Sequence, residues 1–449
     1  MKLILLVSVL AVIGLGITAQ AQSRKVFPYN YTIDDLPNGL RLIVIPTDYP
    51  NLVSVYTVVQ AGSRNEVEKG KSGYAHFFEH LMFRGSENYP AGMFDKIMQK
   101  AGASSNAYTS DDRTVYHATF AKEDLEGIIK LDADRFQHLK YTEEQFKTEA
   151  GAVLGEYNKN ISSPFTKLYE VMRETAYKKH TYSHTTLGYV EDIRDFPNQF
   201  AYSWEFYNRF YRPEYSTVIV VGQVKQADVL AMVKKYYGDW KRGDYVAQIP
   251  REPEQEKARK EHIDWPSPTL PLLAVAYRSP SYSDTAKDKV ALDLLSIIAF
   301  GENSDIYQKL VLEEQKVDFV GGEAEDHVDG ELFAVLSRVK EEKDVEYVRD
   351  EILKTYKRYT TELIPQQKLD ATRSRLRYGF AVVMNSNDAI AGAIAPYVAF
   401  KRTPETINDL YNMIESLTPE DIRHYAQQYF SEKNQTIVTL SYKKQGGDE

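Results

Sequence analysis

Short apolar runs rich in β-branched residues alternate with longer amphipathic stretches along the chain. The runs 40–45, 52–60 and 216–221 predict buried strands. Residues 46–51 form a turn between the first two runs, so we expect these two strands to be neighbours in one sheet. The stretch 121–139 has apolar residues three and four positions apart, which predicts a helix packed against that sheet.

The pattern of elements occurs twice. Residues 209–220 align with residues 428–439, a shift of 219 positions, so each half ends with a helix, a turn and a strand. Between the halves, residues 244–260 are polar and proline-bearing, which is typical of a linker. A chain of 449 residues is also too long for a single core. We therefore predict two homologous domains, residues 22–243 and residues 261–449, in an α+β protein.

Composition narrows the possible partners and chemistry. The chain has 55 Lys and Arg against 64 Asp and Glu, a net charge of −9, and it contains no block of basic residues. Nucleic acid is therefore not an expected partner. The chain has no cysteine, which excludes disulfides and thiol catalysis and leaves only nitrogen and oxygen ligands for a metal.

The first 21 residues have the pattern of a secretory signal peptide. Lys2 provides the positive start, residues 3–17 are an apolar run, and Ala19-Gln20-Ala21 is a small-x-small cleavage pattern. The alternative is an uncleaved membrane anchor, but the apolar run is short for a membrane span. We expect cleavage, no stable membrane anchor afterwards, and export to the periplasm, or secretion if the cell has no outer membrane.

The run His76-Phe-Phe-Glu79-His80 carries the clearest chemistry. On a helix, residues four apart lie on the same face, so His76 and His80 can direct two imidazoles at one ion. Glu79 lies on the adjoining edge and can hold a water there. The order His-x-x-Glu-His is a known zinc hydrolase signature. Ser72 is a plausible N-cap for this helix and Gly85 a plausible end.

A catalytic zinc site needs a third protein ligand. The helix that begins after the capping box at residues 142–145 carries Glu149 and Glu156, seven residues apart and therefore on one face. The sequence does not choose between them, and both could be ordinary surface carboxylates. Gly151 and Gly155 in the same helix suggest that another element approaches closely.

Other histidines are weaker candidates. His117 lies in an alternating strand and could be a third ligand, but a cross-strand hydrogen-bonding role is favoured. His180 and His184 have the spacing of ligands, but Tyr182 and the flanking threonines indicate a loop, which disfavours a second metal site there.

Residues 73–85 resemble the active-site segment of the insulinase or pitrilysin family of zinc peptidases, in particular its processing-peptidase-like branch. The resemblance implies one zinc ion held by His76, His80 and Glu156, with Glu79 as the base and Glu149 behind the ligands. Asn106-Ala107 matches the family's strand that pairs with the substrate backbone. Each domain would be a largely antiparallel sheet packed with helices, and the two together would form half of a clam-shell chamber.

The function implied by the resemblance is a zinc metalloendopeptidase that hydrolyses short or unfolded peptides. At the place corresponding to the motif, the second half has residues 291–298 without ligands, so we expect a non-catalytic C-terminal domain. Where the family has a substrate-binding arginine and tyrosine, this chain has Val311 and either Asp318 or Phe319. We therefore expect a homologous partner that supplies both residues in a heterodimer, with a homodimer as an alternative. A non-catalytic scaffold or assembly subunit is the competing function.

Overall fold

The computed structural model describes residues 25–443, so the predicted signal peptide lies outside the described residues. The N-terminal half begins with two strands and builds a six-stranded sheet. Its strands are β1 (Thr32–Asp35), β2 (Arg41–Pro46), β3 (Leu52–Val59), β4 (Ser104–Thr109), β5 (Thr114–Ala121) and β6 (Ser216–Gly222). Its helices are α1 (Tyr74–Leu81), α2 (Met93–Lys100), α3 (Leu125–Gln137), α4 (Glu143–Ile161), α5 (Pro164–Ala176), α6 (Val190–Asp195), α7 (Phe200–Phe210) and α8 (Gln226–Tyr237).

The C-terminal half repeats this order on a five-stranded sheet. Its strands are β7 (Arg259–Trp265), β8 (Leu272–Arg278), β9 (Val317–Glu323), β10 (Leu332–Val339) and β11 (Gln435–Tyr442). Its helices are α9 (Lys287–Phe300), α10 (Asp305–Tyr307), α11 (Val345–Thr361), α12 (Gln366–Val383), α13 (Asn387–Lys401), α14 (Glu405–Ser416) and α15 (Pro419–Tyr429), and a π-helical turn at Gln308–Glu313 follows α10. Strand β7 begins at Arg259, one residue before the predicted end of the linker.

The two sheets have equivalent topologies. The first has the strand order β1-β2-β6-β3-β5-β4 and the second the order β7-β11-β8-β10-β9. Only the pairs β2–β6 and β7–β11 are parallel, and the remaining pairs are antiparallel. The predicted two-domain α/β architecture is therefore confirmed, and the internal repeat extends to the pairing of every strand from β2 onward.

One predicted pairing is wrong. Strands β2 and β3 are not neighbours, because β6 lies between them and pairs with both. The five residues 47–51 can span the ~10 Å across an intervening strand, so a short connection does not require adjacent strands. Strand β6 is buried along its whole length, which suits a central position in the sheet.

Each half covers part of the other half's sheet with one helix. Helix α5 packs its apolar residues against the second sheet, where Leu168 and Met172 share a core with Leu272. Helix α13 packs in the same way against the first sheet, where Ile390 contributes to the core that contains Tyr56. Burying one such aliphatic side chain contributes about 1.5–3 kcal/mol. This exchange of helices ties the two halves together.

Among residues 25–443, no helix is long and apolar enough to span a bilayer.

Candidate metal centre

Helix α1 presents one apolar and one polar face. Its buried residues include Tyr74, Phe77 and Phe78, whose rings pack in the N-terminal core, where Phe77 stacks on Phe196 with ring centroids 4.7 Å apart. His76, Glu79 and His80 occupy the remaining, partly exposed positions. The packing of the aromatic face therefore fixes the direction of the polar face.

The start of α1 differs from the sequence prediction, because Gly73 and not Ser72 is the N-cap. Gly73 has φ +87°, and a Cβ there would lie 2.4 Å from the carbonyl oxygen of Leu187, so the position requires glycine. The buried carboxylate of Glu66 accepts the N–H groups of Gly73 and Ala75, both at 2.6 Å. An acidic side chain seven residues before the N-cap thus caps the helix, which suits the positive end of the helix dipole. Ser72 instead donates to Asp192.

The three ligands predicted from the family resemblance come together between α1 and α4. One ligand atom each from His76, His80 and Glu156 lies within 4.8 Å of the others. Glu156 Oε2 is 3.7 Å from His76 Nε2 and 3.5 Å from His80 Nε2. Two imidazole nitrogens and one carboxylate oxygen are a donor set that zinc uses in catalytic sites. The residues present therefore fit a zinc ion, and they form the only such group among residues 25–443.

Glu149 lies next to His80, on the side of the imidazole that faces away from Glu156. Its Oε2 is 3.5 Å from His80 Nδ1, the nitrogen that does not face Glu156, and its Oε1 is 3.2 Å from Arg84 Nε. A carboxylate in this position fixes the orientation of a ligating imidazole. Glu149 is buried, whereas the Glu156 side chain is 39% exposed, so the two glutamates occupy different environments. The expected close approach at Gly151 and Gly155 is wrong, since a Cβ at either position would have open space around it.

Glu79 is tied to the edge of the first sheet. Thr109 Oγ1, at the end of β4, donates to Glu79 Oε2 over 2.6 Å. Strand β4 is the outermost strand, and it carries Asn106 and Ala107, of which Asn106 is exposed and Ala107 buried. The strand predicted to pair with substrate is therefore bonded directly to the predicted base. The sequence did not reveal the role of Thr109, because this contact joins residues 30 positions apart.

Burial and neighbouring charges shift the pKa values of the side chains in the site. Burial, together with the charge of His80, lowers the pKa of His76 to about 4, so its imidazole is neutral, as a metal ligand must be. Hydrogen bonding to Glu149 raises the pKa of His80. Burial raises the pKa of Glu79, and the Thr109 hydroxyl opposes this shift. A raised carboxylate pKa suits a group that must take up a proton.

The other candidate histidines lie outside this group. His117 stacks on Tyr56 with ring centroids 4.7 Å apart, and its Nδ1 lies 3.9 Å from Asp388 of α13. His180 Nε2 lies 3.0 Å from Asp329. His184 Nδ1 lies next to the Thr185 carbonyl. Each of the three side chains therefore contacts a protein group away from the candidate metal centre.

The C-terminal half has different side chains at the corresponding places. In α9, Lys289 and Asp293 form an ion pair that also includes Asp326. Asp318 pairs with Arg338 at 2.7 Å, and the ring of Phe319 lies 5.5 Å from that of Phe165 in α5.

A cavity of about 510 Å³ opens beside Ser110, the residue that follows Thr109. Both halves line it, with Phe165 and Tyr169 on the N-terminal side and Glu323 and Glu325 on the C-terminal side. The cavity therefore continues from the edge strand into the seam between the halves.

Models of known protein families match a segment in each half of the chain. The family model "Insulinase (Peptidase family M16)" matches residues 42–189, and "Peptidase M16 inactive domain" matches residues 203–376. The "Zinc protease PqqE" of Helicobacter pylori is 29% identical over 98% of both chains. The "Mitochondrial-processing peptidase subunit beta" of Saccharomyces cerevisiae is 24% identical over 90% of both chains.

A solved structure agrees with the fold. "The crystal structure of a protease from Helicobacter pylori" is 29% identical in sequence and matches with a TM-score of 0.85. The match covers 92% of this chain and 99% of that chain. The arrangement of both halves is therefore shared with a solved protease.

Proposed function

The chain belongs to the insulinase family of zinc peptidases, family M16, and we propose that it is a zinc metalloendopeptidase that cleaves short or unfolded peptides. The observation that carries this proposal is the convergence of His76, His80 and Glu156 on one point, with Glu79 on the same helix. We further propose that these three side chains hold a single zinc ion.

The residues of the site divide the chemistry among them. When bound, zinc would supply Lewis acidity, which polarises a peptide carbonyl and makes a water molecule easier to deprotonate. Glu79 takes the proton from the attacking water and passes it to the leaving amine. Thr109 orients Glu79 through the 2.6 Å hydrogen bond. The Glu149 carboxylate, 3.5 Å from His80 Nδ1, keeps the His80 ring aligned.

Strand β4 is the proposed substrate-binding strand. As the outer strand of the sheet it can accept an extended peptide as an additional strand, and Asn106 and Ala107 lie on it a short distance before Thr109. Main-chain pairing requires an extended peptide, which explains a preference for short or unfolded substrates. The cavity beside Ser110 offers room for the continuing peptide.

We propose that a homologous partner completes the substrate site, and that the two chains enclose a clam-shell chamber. The support is the resemblance: its arginine and tyrosine places hold Val311 and either Asp318 or Phe319 here. Val311 and Phe319 have no polar side-chain group, and Asp318 is paired with Arg338. Loss of one positioned donor typically lowers the rate by ~10²–10³. A homodimer remains the alternative assembly. The pattern of residues 1–21 supports export, with the mature protein acting in the periplasm or outside the cell.

The deciding experiment measures zinc content and cleavage of an unfolded peptide, with the chain alone and with a homologue from the same source that carries the arginine and tyrosine. The proposal predicts about one zinc per chain, and cleavage that a chelator abolishes and zinc restores. Stimulation by the homologue would support the heterodimer, whereas an active homodimer would refute it. Protein that binds no zinc, assembles normally and cleaves nothing, either alone or with the homologue, would favour the scaffold function.

A further inference from the structure

Two hairpin connections, one from each half, meet in the seam between the domains. The first joins β4 to β5 and contains Asp111 and Asp112, and the second joins β9 to β10 and contains His327. His327 Nδ1 lies 3.2 Å from Asp112 Oδ2 and 3.6 Å from Asp111 Oδ2. The backbone N–H of Val328 also donates to Asp112 over 3.1 Å. The C-terminal half therefore contacts the N-terminal half next to its edge strand.

His327 is a buried histidine among carboxylates. It is only 6% exposed, and Asp111, Asp112, Glu325 and Glu331 surround it. Two further cations are Arg173, whose Nη1 lies 2.9 Å from Asp111 and 3.7 Å from Glu331, and Arg64, whose Nε lies 3.9 Å from Asp112. The ring of Tyr182 lies 5.3 Å from the imidazole. With four carboxylates facing three cations, His327, Arg173 and Arg64, loss of the imidazolium charge would leave the first hairpin next to more uncompensated negative charge.

The charge of His327 persists through the neutral range. Burial alone would lower its pKa, but the carboxylates of Asp112, Glu325, Glu331 and Asp111 raise it to about 10. A neutral histidine at this place would lose its attraction to Asp111 and Asp112. The side chain therefore acts as a fixed positive charge and not as a switch near neutral pH.

The first hairpin connects His327 to the active site. Thr109, which donates to Glu79, is only two residues before Asp111. Asp111 also accepts from Ser63 Oγ over 2.6 Å, and its carbonyl accepts from the Arg64 N–H over 2.8 Å. Only Ser110 separates Thr109 from Asp111, so a shift of the hairpin would also move the Thr109 hydroxyl.

We propose that His327 is a positioning residue that acts through the β4–β5 hairpin: as a cation of the C-terminal half, it holds Asp111 and Asp112, and with them Thr109, in the place where Thr109 orients Glu79. This inference rests on the proposed peptidase function. It gives the C-terminal half a part in catalysis although that half has no ligand in the metal site.

The test combines a double-mutant cycle with hydrogen exchange. The variants are His327→Gln, which removes the charge, His327→Lys, which keeps it, Thr109→Val, and the double variant His327→Gln/Thr109→Val. His262→Gln is the matched control, because His262 also pairs with an aspartate but is exposed on β7, at the opposite edge of the second sheet. Zinc content, kcat and KM for an unfolded peptide are measured for each.

The proposal predicts that His327→Gln keeps its zinc and lowers kcat by about 10-fold, within the range that misplacement of a catalytic group produces. His327→Lys should restore most of this loss, and His262→Gln should match the wild type. The double variant should be no slower than the slower single variant, because both changes release the same carboxylate, that of Glu79, from its orientation by Thr109. Multiplicative losses would show that His327 acts independently of Thr109 and would overturn the proposal.

Hydrogen exchange of zinc-free protein provides a readout that needs no activity. Amides of residues 104–114 should exchange faster in His327→Gln than in the wild type or His262→Gln. Unchanged exchange at residues 104–114 would overturn the proposal, even if the wild type were inactive. Inactivity of the wild type would by itself refute the proposed peptidase function and not the positioning role. If His327→Gln does not fold, Asp112→Asn weakens the same contact from the N-terminal side, and the same coupling with Thr109→Val is expected.

Discussion

Replacing Glu149 by glutamine removes one negative charge from the back of the metal site while keeping the shape of the side chain. The wild-type carboxylate lies 3.5 Å from His80 Nδ1 and 3.2 Å from Arg84 Nε. The glutamine can still accept a hydrogen bond, but it no longer favours the imidazole orientation that directs Nε2 at the ion. We therefore expect weaker zinc binding with little change in fold.

The structure sets the size of this effect. Removing the partner of a ligating histidine typically lowers metal affinity by about 10–100-fold, or about 1.4–2.7 kcal/mol. The Glu149 side chain is 7% exposed, so solvent screens its charge weakly, whereas Arg84 is 43% exposed and its lost pairing contributes little. The distance of 3.5 Å exceeds that of a charge-assisted hydrogen bond. We therefore expect the lower end of the range, about 10-fold.

The assay is competition for zinc with a chromophoric chelator, together with the melting temperature of the zinc-free protein. The matched control is Glu144→Gln, which removes a carboxylate from the exposed first turn of the same helix. Equal zinc affinity for Glu149→Gln and Glu144→Gln would refute the role assigned to Glu149. A large fall in the melting temperature of zinc-free Glu149→Gln would show that the residue supports the fold more than the metal.

Three further predictions follow from other contacts. Thr109→Val removes a hydrogen bond to a charged group that typically contributes about 1.5–3 kcal/mol, so kcat/KM for an unfolded peptide should fall about 10–100-fold at unchanged zinc content; an unaltered rate would contradict the orienting role. Peptides N-methylated at the backbone positions that pair with β4 should have a KM about 2–10-fold higher for each lost hydrogen bond, whereas methylation at the alternate positions should have no such effect; equal effects at both sets of positions would argue against strand addition. The pKa of His327 rises from 6.5 to about 10 on folding, so the stabilisation by its charge is complete below pH 6.5 and is lost as the pH rises through 10. Chemical unfolding should therefore show the stability difference between wild type and His327→Gln falling by at most about 1.4 kcal/mol per pH unit across that window; a constant difference would refute the buried charge.

Local patterns in the sequence predicted most of the elements that carry the site. The spacing of His76 and His80 placed both on one face of a helix, and α1 has that geometry. The capping box at Thr142 and Gln145 opens α4 as expected. The choice of Glu156 over Glu149 needed the family resemblance, because both residues lie on the same face of α4 and helical spacing treats them alike.

Contacts that depend on the tertiary fold were not predictable in this way. The capping of α1 by Glu66 depends on a buried carboxylate that folds back on Gly73, whereas sequence reasoning assigned the cap to the adjacent Ser72. The insertion of β6 between β2 and β3 joins segments about 170 residues apart. The contact of Arg84 with Glu149 had only a weak sequence signal, since Arg84 follows His80 by four residues but lies beyond the end of α1 at Leu81. The exchange of α5 and α13 between the halves had no sequence signal, because an apolar helix face does not specify which sheet it covers.

The most direct test of the central claim is the zinc content and peptidase rate of Glu79→Gln, measured on the same preparation as the wild type. The proposed roles predict zinc bound as in the wild type, because His76, His80 and Glu156 are intact, together with loss of hydrolysis. Peptide cleavage at the wild-type rate by zinc-loaded Glu79→Gln would contradict the assignment of Glu79 as the base.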